Sequence, residues 1–439
     1  MQRENKMKYV IIIPDGAADP ISNENAANSP GTSSKARTKT ALEEAKTPNI
    51  DRIIRAGLIG RTDNVPPSLQ PASDVATLSL FGYDPLKYYT GRAPLEAVAM
   101  GVKLGPFDWA IRCNLVYLHD SKMADFTSGH ISSEDGGKLI RSMQEHFGGE
   151  ISKGKLECKN RYEGVLEFVP GVQYRNLLIY RSQSETAPFS ADTRTQPPHD
   201  IPDQLVTPHL PQGPGSDLLQ DLMKHSQDLF ATHPVNTARK MRGDKPATQV
   251  WLWGLGKSAQ VEPFAERYKG TRGAIISAVD LVRGTGMLIG WQRIDSPGAT
   301  GYLDTNYVNK GLTAIEALKS HDLVCVHIEA PDEASHEGSR HEKIRAIQEI
   351  DSHIVGPIYE ALKTFGEFRI MICPDHCTSL ATRAHSRGMV PFACAGSYLP
   401  TRLVADCEHY DEYNALKSPI CFPHGYQMME WFLGKSPSN

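Results

Sequence analysis

The stretch HIEAPDEASHEG, residues 327–338, sets Asp332 and His336 four residues apart, with Glu333 and Glu337 beside them, directly after the apolar run LVCVHI. Two other apolar runs end in similar chemistry: YVIIIPDG reaches Asp15, and RIMICPDH reaches Asp375 and His376. His385 follows in RAHSRG. Carboxylate oxygens and imidazole nitrogens without thiolates suit Mn²⁺, Zn²⁺ or a similar divalent ion. Asp15, Asp332, His336, Asp375, His376 and His385 are more groups than one tetrahedral ion needs, which points to two ions. Singly, each has an ordinary alternative as a helix cap, a core residue or a solvated surface group. The same chemistry at three separate run ends favours the joint reading. A serine could supply what the ions act with. Ser73, in PPSLQPASDVATLSLFGYDP, opens a predicted helix after a Pro-rich loop. There its hydroxyl lies near unpaired backbone N–H groups and the positive end of the helix dipole. That place suits an N-cap, and equally a nucleophile whose phosphorylated form the same field stabilises.

The elements that must position these groups are legible in the pattern. Short continuous apolar runs rich in Val and Ile are what doubly covered parallel strands look like. Between the second and third runs, EKIRAIQEIDSHIVGPIYEAL places Ile344, Ile347, Ile350, Ile354 and Leu362 on one helical face. Strand, helix, strand predicts a βαβ unit in a mainly parallel sheet, with the site outside the carboxyl ends of its strands. From about 108 to 245 the pattern changes to short apolar stretches broken by polar loops, including SETAPFSADTRTQPPHDIPDQLVTPHLPQGPGSD, which is rich in turn and breaker residues. The expectation is a smaller α+β domain at 108–245, inserted into an α/β domain of 1–107 and 246–439 whose pattern resumes near TQVWLWGLG. Residues 1–6 read as a loose tail and 20–40 as a surface loop.

Composition bounds the function. A chain of 439 residues is long for one core, so two domains are natural. With 40% hydrophobic and 22% charged residues it has a globular composition, and no apolar stretch approaches the roughly 20 residues of a membrane span. The net charge of −4, with scattered Lys and Arg, lacks the basic footprint of a nucleic-acid binder. The N-terminal stretch has no signal-peptide pattern. Eight cysteines at irregular spacings do not make a disulfide scaffold, and Cys373 and Cys377 have no second pair with which to form a structural zinc site. A reduced, cytoplasmic protein without membrane or nucleic-acid partners is expected; the oligomeric state is left open. Neither a P-loop nor a kinase Gly-rich signature is present.

The motifs IPDGAAD, AKTPNIDRI, SDVATLSLFGYDP, YYTGRAPLEAVAMG, ISAVDLVRGTG, GATGYLDTNY, EAPDEASHEG and PDH occur in this order from about residue 8 to 393. The chain thereby resembles the archaeal-type, 2,3-bisphosphoglycerate-independent phosphoglycerate mutases of the alkaline phosphatase superfamily, which have a close sister group proposed as homoserine kinases. The resemblance implies an alkaline-phosphatase-like α/β fold, a phosphoserine intermediate at Ser73 and a two-metal site. Asp15, Ser73, Asp375 and His376 would hold one ion, and Asp332, His336 and His385 the other. Mn²⁺ is the expected ion, with Zn²⁺, Mg²⁺ and Co²⁺ as alternatives and no requirement for 2,3-bisphosphoglycerate. The implied reaction interconverts 3- and 2-phosphoglycerate, a small phosphorylated hydroxy acid; the alternatives are a homoserine-kinase-like phosphotransferase or a metal-dependent phosphatase. The carboxylate of glycerate calls for cationic or amide donors. Candidates are Arg92, Lys257 and Arg283, with His130, Arg175, His199 and Asp200 from the inserted domain. Arg283 stands among apolar and glycine neighbours, where an idle charge is costly. An inserted domain closing about hinges near 108 and 246 would keep water from the trapped glycerate. The chain departs from the family pattern at PDHCTSL, where Cys377 replaces the usual proline, and at RAHSRG, which lacks the usual threonines around His385.

Overall fold

The computed structural model describes residues 7–21, 38–401 and 407–434; the expected tail at 1–6, and 22–37 of the expected loop, lie outside the described residues. The chain divides into two compact units, residues 1–89 with 261–439, and residues 90–260.

The first unit is built on an eight-stranded sheet. Its centre is made by the three runs that the sequence singles out: β1 (Lys8–Pro14), β2 (Leu323–Ile328) and β3 (Phe368–Ile372). β1 lies between β2 and β3 and is parallel to both, with Ile13 opposite His327 and Ile12 opposite Ile372. Every residue of β2 is buried, as is all of β1 beyond Lys8, so both faces of the sheet are covered here. Outward from β2 come Gly273–Ile276 and Gln292–Arg293, both parallel. Outward from β3 come Val390–Gly396, which is antiparallel, then Leu58–Thr62 and Cys421–Phe422. The sheet is therefore parallel apart from Val390–Gly396, matching the expected α/β class. The chain returns from β2 to β3 through Arg340–Ile350, a π-helical turn at Asp351–Val355 and Gly356–Leu362. Ile347, Ile350, Ile354 and Leu362 from the predicted face are buried in the core.

The second unit is α+β. Its strands run Lys122–Asp125, Trp109–His119, Arg175–Arg181, Val165–Val172 and Gly149–Glu150 across the sheet, all antiparallel. The helices Ser133–Phe147, Ser216–Ala231 and Pro234–Met241 belong to the same unit. The run TQVWLWGLG does not resume the parallel pattern: Gln249–Lys257 pairs antiparallel with Trp109–His119, Cys113 opposite Leu252. A continuous apolar run reports burial on both faces, which a central antiparallel strand can also have, so the run alone does not give strand direction. The helix Arg92–Ala99 packs on both of these strands. The unit limits thus fall at 89/90 and 260/261, against expected boundaries at 107/108 and 245/246. Among the described residues no helix is long and apolar enough to cross a membrane, and all eight cysteines are free thiols.

Candidate metal centre

The site lies at the carboxyl ends of β1, β2 and β3. Asp15 is the first residue beyond β1, fully buried, and its backbone N–H donates to the carbonyl of Ile328 at 2.9 Å. The next residue, Gly16, has φ +59, and an added Cβ would lie 2.3 Å from Asp332 Oδ1, so only glycine fits between the two carboxylates. Beyond β2 the chain enters the short helix α1 (Ala330–His336), whose single turn brings Asp332 and His336 to one face. Beyond β3 come Asp375 and His376. The hairpin strands β4 (Cys377–Ser379) and β5 (Ala384–Ser386) then set Thr378 opposite His385. Asn64 donates to the carbonyl of Asp375 at 2.8 Å, holding that loop.

Two overlapping groups of ligand-type atoms result, each drawn together within 4.8 Å: Asp15, Asp375 and His376, and Asp332, His376 and His385. His336 completes the second, with Nε2 2.9 Å from Asp332 Oδ2 and 3.0 Å from His385 Nε2. Ser73 stands at the first position of the helix Ser73–Leu80, with Ala72 as the cap residue, so its hydroxyl is not used for capping. Ser73 Oγ lies 3.3 Å from His376 Nε2.

The hydrogen bonds assign the tautomers. Nδ1 of His336 lies 2.9 Å from the carbonyl of Arg383, and Nδ1 of His385 lies 3.0 Å from the carbonyl of Pro71. A carbonyl only accepts, so both Nδ1 atoms carry hydrogen. Thr378 donates to Asp332 Oδ1 at 2.5 Å, so its oxygen accepts from Nδ1 of His376 at 3.2 Å. In the neutral rings all three Nε2 atoms therefore present lone pairs to the carboxylates of Asp15, Asp332 and Asp375. Such an arrangement suits cations. Asp15 Oδ1 and Asp375 Oδ2 are buried without hydrogen-bond partners, and buried polar atoms without partners are rare. Oxygen and imidazole donors of this kind, with every Nδ1 held by an outer partner, fit divalent metal ions.

The protonation tendencies agree. Burial, with Asp375 and Glu329 nearby, raises the Asp15 carboxyl well above the usual range. Burial also opposes ionisation of Asp332, but hydrogen bonds from His336 and His385 outweigh it and hold that carboxylate low. In return Asp332 raises His336 to about 9, while burial lowers His376.

Residues without an assigned role in the sequence prove to belong here. His327 is the one polar side chain in β2. Its Nε2 donates to Asp15 Oδ2 at 2.8 Å, and Nδ1 accepts from Ser277 Oγ at 3.1 Å. Burial pushes it down to about 3, so it is neutral. Glu329, raised to about 7 mainly by burial, groups with Asp15 and His327. Thr378 could not be found from a motif, because its two partners come from different segments. The single histidine in a wholly apolar strand was the signal for His327.

The expected substrate contacts fall in both units. Arg283, in the first unit, donates to the carbonyl of Ser277 at 2.6 Å and pairs with Asp280 and Asp295, so its charge is not idle. In the second unit, Arg92 and Arg175 share one electrostatic field with Glu96 and with Arg112. Arg112 stacks on Trp253 at 3.9 Å and pairs with Glu96 at 3.0 Å. His199 packs edge-on against Trp253 and feels Arg112 and Arg92 after the larger effect of its own burial, all lowering its pKa; Asp200 lies beside it at 3.6 Å. Lys257 pairs with Glu185 and lies over Phe107, and His130 is exposed on a turn.

Fold and site together define an α/β enzyme with a carboxylate–imidazole centre and an adjacent serine at the strand ends of a mainly parallel sheet. A sequence profile described as 2,3-bisphosphoglycerate-independent phosphoglycerate mutase matches residues 55–236. A protein of that name from Methanosarcina barkeri is 43% identical over 417 residues, covering 94% of this chain and 96% of its own. Among solved structures, a Pyrococcus horikoshii protein aligns with a TM-score of 0.73 at 25% identity, covering 99% of both chains. The cofactor-independent phosphoglycerate mutase of Thermoplasma acidophilum shares the fold, with a TM-score of 0.61 at 21% identity, covering 97% of this chain and 99% of its own. The chain belongs to the 2,3-bisphosphoglycerate-independent phosphoglycerate mutase family.

Proposed function

We propose that this chain interconverts 3-phosphoglycerate and 2-phosphoglycerate without 2,3-bisphosphoglycerate, by way of a phosphoserine at Ser73. The observation that carries the reading is the convergence of three imidazole lone pairs and three carboxylates beside a serine hydroxyl that caps nothing. Two divalent ions, with Mn²⁺ expected, would be held by Asp15, Ser73, Asp375 and His376, and by Asp332, His336 and His385. When bound they would supply neutralising charge for a phosphoryl group and favour ionisation of the serine hydroxyl.

The remaining work falls to the chain's own groups. Ser73 Oγ forms a bond to phosphorus as the bond to the 3-oxygen of glycerate breaks, and the serine proton passes to that oxygen. The 2-hydroxyl then attacks the phosphoserine, its proton returns to Ser73, and 2-phosphoglycerate is formed. The N-terminus of the helix Ser73–Leu80 favours the negative charge that Ser73 carries while phosphorylated. His327 keeps Asp15 oriented, and Thr378 sets His376 and Asp332 against each other. Arg92, Lys257, Arg175, His130, His199 and Asp200 are proposed to receive the glycerate carboxylate and hydroxyls, with Arg112 added to the group. Arg283, tied to Ser277, is proposed to steady the Ser277–His327–Asp15 chain as well.

The test is phosphorus NMR of Mn²⁺-loaded protein with 3-phosphoglycerate, without 2,3-bisphosphoglycerate or nucleotide. Growth of a 2-phosphoglycerate signal without free phosphate supports the mutase. Free phosphate alone makes the enzyme a phosphatase, and no change with metal bound overturns the proposal in favour of the homoserine-kinase-like reading.

A further inference from the structure

We propose that the unit 90–260 carries a second, separate cation site of the zinc class, formed by Glu157, Asp221 and His225. Asp221 and His225 lie one turn apart on the helix Ser216–Ala231, the same spacing that brings Asp332 and His336 together in the centre described above. Glu157 arrives from the irregular segment at 154–164. One ligand-type atom from each of the three lies within 4.8 Å of the others.

The geometry of these atoms fits the co-ligands of an ion better than an ordinary ion pair. Asp221 is 8% exposed. One of its oxygens, Oδ2, accepts from the backbone N–H of Cys158 at 3.2 Å. The other, Oδ1, stands 3.1 Å from His225 Nε2, yet both atoms are buried and neither makes a hydrogen bond. A carboxylate oxygen and an imidazole nitrogen brought this close without a hydrogen bond are arranged as co-ligands are, aimed at a shared point. Glu157 currently pairs with Lys224 at 3.0 Å, and both of those side chains are about two-thirds exposed. Exposed pairs of this kind are weak, so Lys224 can yield its partner to a divalent ion.

Access and selectivity follow from the surroundings. Glu157, Cys158, Asp221 and Lys224 line a cleft of about 470 Å³ through which an ion can enter. Two carboxylates with one imidazole suit Zn²⁺ or Co²⁺, whereas Mg²⁺ and Ca²⁺ prefer all-oxygen sets. The amide of Cys158 serves as the outer partner that orients Asp221. An ion here would pin the segment 154–164, which has neither strand nor helix, to the helix that carries two of its ligands. The site involves no residue of the catalytic centre.

The experiment counts zinc in full-length protein after equilibrium dialysis, comparing the unaltered chain with Glu157→Gln and His225→Ala. Each variant is expected to retain one equivalent of Zn²⁺ fewer, with turnover in the presence of Mn²⁺ unchanged. Because Glu157 is exposed, Glu157→Gln tests the site without risk to the fold. A Co²⁺ difference spectrum, unaltered chain minus His225→Ala, should show the intense visible bands of a tetrahedral ion. Equal zinc content in the unaltered chain and Glu157→Gln would overturn the proposal.

Discussion

Replacing Thr378 by valine removes one hydroxyl and almost no volume, so it isolates what that hydroxyl does. The hydroxyl donates to Asp332 Oδ1 at 2.5 Å and its oxygen accepts from His376 Nδ1 at 3.2 Å, and all three residues are at most 3% exposed. Two interactions are lost at once. A hydrogen bond to a charged acceptor is worth about 1.5–3 kcal/mol, and ligand-orienting partners of this kind typically contribute about 10–100-fold in metal affinity. At about 1.4 kcal/mol per factor of ten the two ranges agree. Without the threonine oxygen, His376 has no fixed acceptor for its Nδ1 hydrogen. Its ring then divides between tautomers, and only one of them offers Nε2 to the site. The expected result is a Mn²⁺ affinity lowered by about 10–100-fold, read by equilibrium dialysis. Turnover should fall at limiting Mn²⁺ and recover in large part when the metal is raised. An unchanged Mn²⁺ affinity in a folded Thr378→Val protein would refute the tautomer assignment and the role of His376 as a ligand through Nε2.

Ser73→Ala should reduce phosphoryl transfer by on the order of 10⁴-fold or more, as loss of a covalent nucleophile does, while metal still binds; near-normal turnover in the NMR assay would exclude the phosphoserine route. Gly16→Ala forces a Cβ to within 2.3 Å of Asp332 Oδ1 at φ +59. The left-handed backbone alone costs about 1–2 kcal/mol, so lower thermal stability and lower metal content are expected together, and a protein unchanged in both would show that the turn can shift. In metal-free protein His336 is raised from 6.5 to about 9 by Asp332. Its folded-state pKa is the higher one, so its contribution to stability is complete below about pH 6.5 and is lost as the pH rises through about 9. Metal must displace that proton, so Mn²⁺ affinity should climb between pH 6.5 and 9 and then level off. A flat affinity across that range in calorimetric titrations would rule out His336 as a ligand.

Much of the candidate site is legible in the sequence. Asp15, Asp332, Asp375 and His376 are marked by the apolar runs that precede them, because a strand buried on both faces must be apolar and the residues just past its end are where polar chemistry begins. The helix starting at Ser73 was likewise predicted and observed. The direction of Gln249–Lys257 was not legible: its apolar run records burial, whereas pairing with Trp109–His119 is set by a partner more than 100 residues away.

What the sequence by itself determined is the inventory: three β-run ends carrying carboxylates and imidazoles, a serine at a helix start, a mainly parallel sheet to align them, and motifs enough to name a family. What only the tertiary structure decided is the wiring. The contact of His327 with Asp15 spans 312 residues, and that of Thr378 with Asp332 spans 46. Which nitrogen of each histidine faces the site depends on the carbonyls of Arg383 and Pro71 and on the hydroxyl of Thr378. Hydrogen-bond direction is a property of two groups in space, and local residue pattern carries no record of a partner supplied by another strand end.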